Sequence, residues 1–256
     1  HNFRLICANG LFFRDGHVCE ECLHGSAYHA VRYGCYRNSR LASLPVARMI
    51  SHHRKADTWS DKVDCFFALT DFAKSKFVEA GLPASKIVVK PNFVFDPLED
   101  GKLPSRDDPD GEATALFVGR LSVEKGIETL LAAWEELTVP LRIVGDGPLA
   151  ARVAKVAHPR IEYLGAQPVE RVYEEMAGAD FLVVPSLCYE GFPMVVVEAF
   201  AHGLPVLASD QGSFPSIIDE GETGQLFAVD RAEGIRAAVS GLANDPAARI
   251  SLGQRA

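Results

Sequence analysis

DFLVVPSLCYEGFPMVVVEAFAHGLPVLAS, residues 180–209, decides the fold. It opens on an apolar run, DFLVVPS (180–186), and closes on another, LPVLAS (204–209). Each is strand length, bounded by turn residues and without polar alternation. Between them Pro193 introduces MVVVEAFAHG, with the proline at a first helical position, where its missing N–H costs nothing. Strand, helix, strand at this spacing is a βαβ crossover, and the strands it joins run parallel. Strands apolar on every residue need cover on both faces of their sheet.

The same alternation extends over 112–253. TALFV (114–118) is a strand, and SVEKGIETLLAAWEEL (122–137) has helical spacing with Ser122 as N-cap. LRIVG (141–145) is a strand closed by the turn GDGP, and LAARVAKVA (149–157) is helical. IEYLG (161–165) is a strand and VERVYEEMAGA (169–179) a helix. After 209 come the turn-rich SFPSIIDEGETG, a short strand QLFAV and two closing helices. The reading is α/β, a doubly wound parallel sheet.

Residues 98–111 are rich in Asp, Pro and Gly without apolar period, so they read as a linker between a first domain (1–97) and a second (112–256). In the first, KVDCFFALT (62–70), DFAKSKFVEAG (71–81) and KIVVKPN (86–92) read as strand, helix, strand, with Asp71 near the helix start. NSRLASLPVARMISHHRK reads as a helix interrupted at Pro45. This half is too short for a complete sheet of its own. The chain opens on His1 and its last residues read as a helix that simply stops, so it reads as cut at both ends, with strands expected before His1.

Composition narrows the function. The net charge is −8 over 256 residues, which argues against nucleic acid, where affinity comes from Lys and Arg neutralising phosphates. No apolar run approaches the roughly 18 residues of a membrane span. A chain of this size needs no disulfides, so its six cysteines point to a reducing compartment.

In open parallel sheets ligands bind beyond the carboxyl ends of the strands. Those ends carry Gly119 and Arg120, then Lys125; Gly145 and Gly147; Gly165; and PSLCYEGFP (185–193). Arg120 or Lys125 alone is an ordinary surface charge, and GDG is a common turn. Together, two cations, glycines that admit a ligand to the backbone and a helix N-terminus at Pro193 suit a diphosphate. Glu198 lies inside that helix and suits paired ribose hydroxyls. Glu190 precedes it and is placed to meet what hangs from the diphosphate. The first strand is followed by GRLSVEKG and not by G-x-G-x-x-G, which counts against NAD.

VGRLSVEKG, IVGDGP, YLG, VVPSLCYEGFPMVVVEA, GLPVLASD and GETGQLF, in that order, resemble the nucleotide-sugar half of retaining glycosyltransferases of family 4, with the GT-B fold. The resemblance covers 62–256, and the upstream piece looks like the acceptor domain of bacterial members that build cell-envelope or exopolysaccharide glycans. It implies two Rossmann-like domains, the N-terminal one incomplete here, without the glycine-rich loop such enzymes carry near their N-terminus. It implies transfer of a sugar from a UDP- or GDP-sugar to a glycan or lipid-linked acceptor with anomeric retention. Arg120 and Lys125 would hold the diphosphate, Glu198 the ribose, and Glu190 with the amides of Gly191 and Phe192 the sugar. The amides of Met194 and Val195 would face the phosphates, the base would pack at Gly165, and His1 would reach the sugar. No metal would be needed for the chemistry. The location implied is cytoplasmic, at the inner face of the membrane, with peripheral membrane contact through the missing N-terminal part. An epimerase or phosphorylase on the same architecture, or a non-catalytic nucleotide-sugar-binding remnant, stays open beside transfer.

Cys7, Cys19, Cys22 and Cys35 include one Cys-x2-Cys pair and read either as four ordinary thiols or as ligands of a structural zinc. His17, His24, His29, His52 and His53 read as surface histidines.

Overall fold

The computed structural model describes residues 2–97 and 112–256; His1 and the predicted 98–111 linker lie outside the described residues. The chain forms two compact units. The first runs to Asn92 and takes in Cys188–Phe192; the second comprises Phe93–Leu187 and Pro193–Ala256. Residues 188–192, which the sequence reading places in the second domain, thus group with the first.

The first unit opens on a hairpin of β1 (Phe13–Arg14) and β2 (His17–Val18). Its turn residues Asp15 and Gly16 have φ of 51° and 81°, the left-handed pair an Asp-Gly dipeptide supplies. Short helices α1 (Glu21–His24) and α2 (His29–Tyr33) follow. Then comes α3 (Arg40–Lys55), where the Ser39 hydroxyl accepts from the Ala42 amide at 3.2 Å. The interruption expected at Pro45 does not occur; the proline sits in the second turn of a continuous helix. After α4 (Thr58–Lys62), the parallel strands β3 (Phe66–Ala68) and β4 (Ile87–Val89) are joined through α5 (Asp71–Glu79). Asp71 is the first residue of α5, as expected near the helix start, and Thr70 caps it, accepting from the Ala73 amide at 3.1 Å.

The second unit runs β5 (Ala115–Val118), α6 (Ile127–Trp134), β6 (Leu141–Val144), α7 (Ala150–Val153), β7 (Ile161–Gly165), α8 (Val169–Ala177), β8 (Phe181–Val184), α9 (Met194–Ala201), β9 (Val206–Ser209), β10 (Gly224–Phe227), α10 (Ala232–Ala243) and α11 (Pro246–Arg255). The six strands are all parallel, in the order β10-β9-β8-β5-β6-β7. Two structural cores explain why the strands lack polar alternation. In β5, Phe117 packs into one core and its neighbour Leu116 into the other; in β8, Phe181 and Val183 face one way, Leu182 and Val184 the opposite way. Trp134 is wholly buried in the first core, its indole N–H donating to the Val139 carbonyl at 2.7 Å. A side chain of this kind contributes roughly 1.5–3 kcal/mol by burial.

Several boundaries differ from expectation; α6 stops at Trp134 and α8 at Ala177, short of the residues 137 and 179 read from the sequence. α6 starts at Ile127, because the Ser122 hydroxyl donates to the Glu124 carboxylate (2.7 Å) and caps nothing, and a single tight turn, Val123–Lys125, intervenes. α7 stops at Val153. Pro193 is the N-cap of α9, in extended conformation, and not its first residue.

An ion pair with a buried arginine and a partly exposed aspartate fastens α11 to the sheet. Arg249 of α11, 3% exposed, pairs with Asp180 at 3.4 Å and donates to the Leu242 and Ala243 carbonyls at 3.1 and 2.6 Å, capping α10. Asp180 also accepts from the Thr114 amide at 2.8 Å, ahead of β5.

Candidate functional site

Strand order reverses between β5 and β8, so the crevice of this sheet opens at their carboxyl ends. The loop after β5 carries Gly119, Arg120 and Lys125; the loop after β8 begins at Pro185. The Leu187 amide donates to the Glu124 carbonyl at 2.8 Å, joining the two. Gly126 makes the approach feasible: its φ is 71°, and a Cβ there would overlap the Pro185 carbonyl oxygen.

The neighbouring loops are tied to the same rim. The Gly119 amide donates to Val144 at 3.0 Å and the Leu121 amide to Asp146 at 2.9 Å. The Gly145 amide donates to Gly165 at 2.8 Å, and the Tyr163 hydroxyl to Gly145 at 3.1 Å. A Cβ on Gly145 would overlap the Gly119 carbonyl, so backbone meets backbone with no side chain between. Gly147 packs as closely on the backbone of Leu121, whereas a Cβ on Gly165 would meet nothing within 4 Å, which leaves the surface there open. Gln211, beyond β9, donates to the Ser186 carbonyl at 2.6 Å and brings a further loop to the rim. At the end of β9 the Ser209 hydroxyl is buried with no partner among the described residues. Neither Gln211 nor Ser209 was singled out in the sequence; their place one strand beyond β8 was the available signal.

The charges on this rim are incompletely matched. Arg120 is exposed and has no ion pair among the described residues, while Lys125 is half-buried. In α9 the first N–H groups have no intrahelical acceptor. Val196 bonds back to Pro193 at 3.0 Å, and the Met194 and Val195 amides have no acceptor among the described residues. The helix buries Val196 and Ala199 and keeps Met194 and Glu198, one turn apart, half-buried on another face.

No described residue pairs with the Glu198 carboxylate, and burial pushes its carboxyl above the usual range. A carboxyl raised in the folded state contributes most below its unfolded value and loses that contribution as pH rises through the folded one. Ionised Glu198 therefore burdens the ligand-free fold at neutral pH. Glu198→Gln is predicted to melt at or above the parent temperature near neutral pH, with the gain vanishing below about pH 4, where the parent carboxyl is protonated in both states. Thermal melts across this range check it; a lower melting temperature for the variant at neutral pH would show instead a stabilising partner for the carboxylate.

Glu190, Gly191 and Phe192 lie in the segment that groups with the first unit. Its anchor is Tyr189, whose ring packs edge-on to Phe72 (4.8 Å) and Phe12 (5.9 Å) and lies 5.8 Å from the Lys76 ammonium. Gly191 lines a small cavity there with Asn2, Phe3 and Phe77. The predicted set is thus placed in two groups. Gly119, Arg120, Lys125, Gly145, Gly147, Gly165, Met194, Val195 and Glu198 share the second unit, Glu190, Gly191 and Phe192 the first, and His1 lies outside the described residues.

For metals, the cysteines do not form a ready cage. Among the described residues the three-ligand group with atoms mutually within 4.8 Å is Glu20, His24 and Glu79, not the predicted Cys7, Cys19, Cys22 and Cys35. Lys76 already bridges Glu20 and Glu79 at 2.7 and 3.0 Å and supplies the positive charge. All four cysteines are free thiols; burial, with neighbouring thiols adding, pushes Cys22 up to about 12 and Cys35 up to about 11.

Comparison with known proteins concerns the unit that carries this rim. The model of a family described as glycosyl transferases group 1 matches residues 112–245. The phosphatidyl-myo-inositol mannosyltransferase of Mycolicibacterium smegmatis is 33% identical over 211 residues, 77% of this chain and 53% of the relative. A GDP-mannose-dependent alpha-mannosyltransferase of Mycobacterium tuberculosis is 39% identical over 131 residues, 51% of this chain and 34% of the relative. HepE of Anabaena, solved with UDP and glucose, superposes with a TM-score of 0.67 at 18% identity, over 90% of this chain and 74% of HepE. That likeness shows the fold, which agrees with the doubly wound GT-B expectation. The chain spans about half the length, or less, of the curated relatives it matches.

Proposed function

The chain belongs to the glycosyl transferases group 1 family, and from that premise we propose that its second unit binds the nucleoside diphosphate of a nucleotide sugar for transfer with retention. The observation that carries this reading is the switch-point rim. A guanidinium at Arg120 in the loop after β5, and two amides at Met194 and Val195 with a carboxylate at Glu198 in the first turns of α9, stand at one sheet edge with no partner among the described residues. The first three suit a diphosphate, and the carboxylate suits a pair of ribose hydroxyls. Lys125 adds a second cation. The open surface at Gly165 suits a base. On sequence alone, Glu190 with the Gly191 and Phe192 amides is assigned to the donor sugar, and His1 to its reacting end.

In the reaction proposed, the bond from the sugar's anomeric carbon to the diphosphate breaks, and its electron pair leaves with the phosphate oxygen. Arg120, Lys125 and the α9 amides stabilise that charge, which is the task a divalent cation performs in other transferases. The acceptor hydroxyl oxygen attacks from the same face, and its proton passes to the departing phosphate oxygen. Glu190 is not assigned as a nucleophile. The acceptor class is a glycan or lipid-linked glycan, and the place of action the cytoplasmic side of the membrane; no described helix is long and apolar enough to cross one. The nucleoside diphosphate is UDP or GDP: a relative is named for GDP-mannose, and a structural neighbour was solved with UDP.

Incubation with UDP- and GDP-sugars and an oligosaccharide acceptor tests this reading. Release of the nucleoside diphosphate, with an anomeric proton coupling in the product matching the donor's, is the expected result. An inverted product would remove the retaining mechanism. Release of a free 2-epimer would indicate an epimerase, and tight binding without turnover a binding subunit.

A further inference from the structure

Cys7, Cys19, Cys22 and Cys35 take no part in the rim, and four separate segments of the first unit carry them. Cys7 sits in the opening turn, its amide donating to Phe3 at 2.8 Å and its carbonyl accepting from Gly10 at 2.9 Å. Cys19 leaves β2 with its amide bonded to the Phe12 carbonyl at 2.7 Å. Cys22, in α1, and Cys35, beyond α2, pack in one apolar cluster. Cys22 is within electrostatic reach of the other three, and Cys35 within reach of Cys7 and Cys19. All four are free.

Two independent features call for something at this place. The first is Arg14. Its guanidinium lies 3.7 Å over the Tyr33 ring, pairs with Asp15 at 2.9 Å and with Glu21 at 2.8 Å through its terminal nitrogens, and stands beside the Cys19 thiol. Its Nε is nevertheless buried with no acceptor among the described residues. Neutral thiols are poor acceptors, whereas a metal-bound tetrathiolate is an anionic group that a buried arginine N–H satisfies and stabilises. The second is the poverty of the surrounding structure. The strands here are two residues long and the helices α1 and α2 four and five. Phe12, Asp15, Arg37 and Asn38 all hold positive φ. The cluster containing Cys22 is built mainly of alanines, Ala8, Ala27, Ala30 and Ala47, which bury little apolar area. Segments of this kind need a staple to hold one conformation.

We propose that Cys7, Cys19, Cys22 and Cys35 form a structural site for one thiophilic divalent cation of the zinc type, bound as a tetrathiolate. The metal crosslinks the opening turn, the hairpin exit, α1 and the end of α2. Metal–sulfur bonds of about 2.3 Å would bring the sulfurs to about 3.8 Å from one another. Among the described residues no three cysteine sulfurs stand mutually within 4.8 Å, so binding draws the side chains inward, as at sites that close only on their metal. Each bond to the metal forms from a thiolate, and the thiol protons leave to solvent. The proposal is independent of the sugar-transfer reading, since none of its residues belongs to the rim.

The test is metal content of the reduced protein, followed by cobalt substitution. The expected result is one zinc per chain, and a cobalt form with the strong visible bands of tetrahedral thiolate ligation. Chelation lowers the melting temperature and added zinc restores it. Cys22→Ser loses the bands, while Cys35→His, which keeps a ligand, retains the metal and shifts them. Cys65→Ser, at an exposed thiol, and Arg120→Ala leave them unchanged. Substoichiometric zinc in protein with reduced cysteines, a disulfide among the four, or cobalt bands indifferent to both Cys22→Ser and Cys35→His would overturn the proposal.

Discussion

Arg120→Ala lowers turnover by about 10²–10³-fold, the cost of removing one preorganised donor to a developing oxyanion, and leaves the melting temperature of the protein unchanged. The two halves of this result have separate causes. Arg120 is exposed and has no ion pair among the described residues, so the fold loses nothing when its guanidinium is removed. In the proposed reaction, by contrast, the departing diphosphate gains negative charge as the sugar leaves, and the planar fork of an arginine would stabilise that charge more than it stabilises the bound donor. Arg120→Lys keeps the charge without the fork and is expected to fall between parent and Ala. Steady-state kinetics with a nucleotide sugar, beside a thermal melt of each variant, checks both halves. Parental turnover in Arg120→Ala would remove the residue from the mechanism; a large loss of stability would make it structural.

Arg249→Met is expected to destabilise the protein by about 2–4 kcal/mol, the cost of leaving a partly buried carboxylate and two helix-end carbonyls without their donor, without touching the rim. Methionine fills much of the volume. It leaves the Asp180 carboxylate without its cation and removes the donor that caps the Leu242 and Ala243 carbonyls. Asp180 keeps the Thr114 amide as a partner, so Asp180→Asn alone costs less, and the double variant costs less than the sum. Urea unfolding of the two single variants and the double variant measures the coupling. Additive effects would mean that the arginine acts only through the α10 carbonyls.

The second unit was legible because its strands lack alternation. Leu116 and Phe117 are neighbours that feed opposite cores, as a strand covered on both faces requires. The rim was legible for the same reason, since residues that follow parallel strands share an edge. The start of α6 was not. Ser122 has the chemistry of a cap, but the helix begins five residues beyond it, at Ile127, after the left-handed Gly126, whose close approach to Pro185 is a tertiary contact. The placing of residues 188–192 was also hidden. Nothing around Tyr189 announces that its ring packs on Phe12 and Phe72, partners distant in sequence. The Asp15–Gly16 turn was in plain view, but strands of two residues are too short to show a period. Of the nonapeptide EGFPMVVVE, the helix start and its carboxylate Glu198 belong to the rim, whereas Glu190 groups with the first unit.

The central claim is that the loops around β5 and β8, with the start of α9, hold a nucleoside diphosphate. Titration calorimetry with UDP, GDP, ADP and NAD addresses it most directly, run on the parent, Arg120→Ala and Glu198→Ala. The account predicts that UDP or GDP binds, and that each variant weakens binding by about 1–3 kcal/mol, the scale of a lost charge-assisted hydrogen bond. Binding of none of the four, or binding that both variants retain in full, would contradict it.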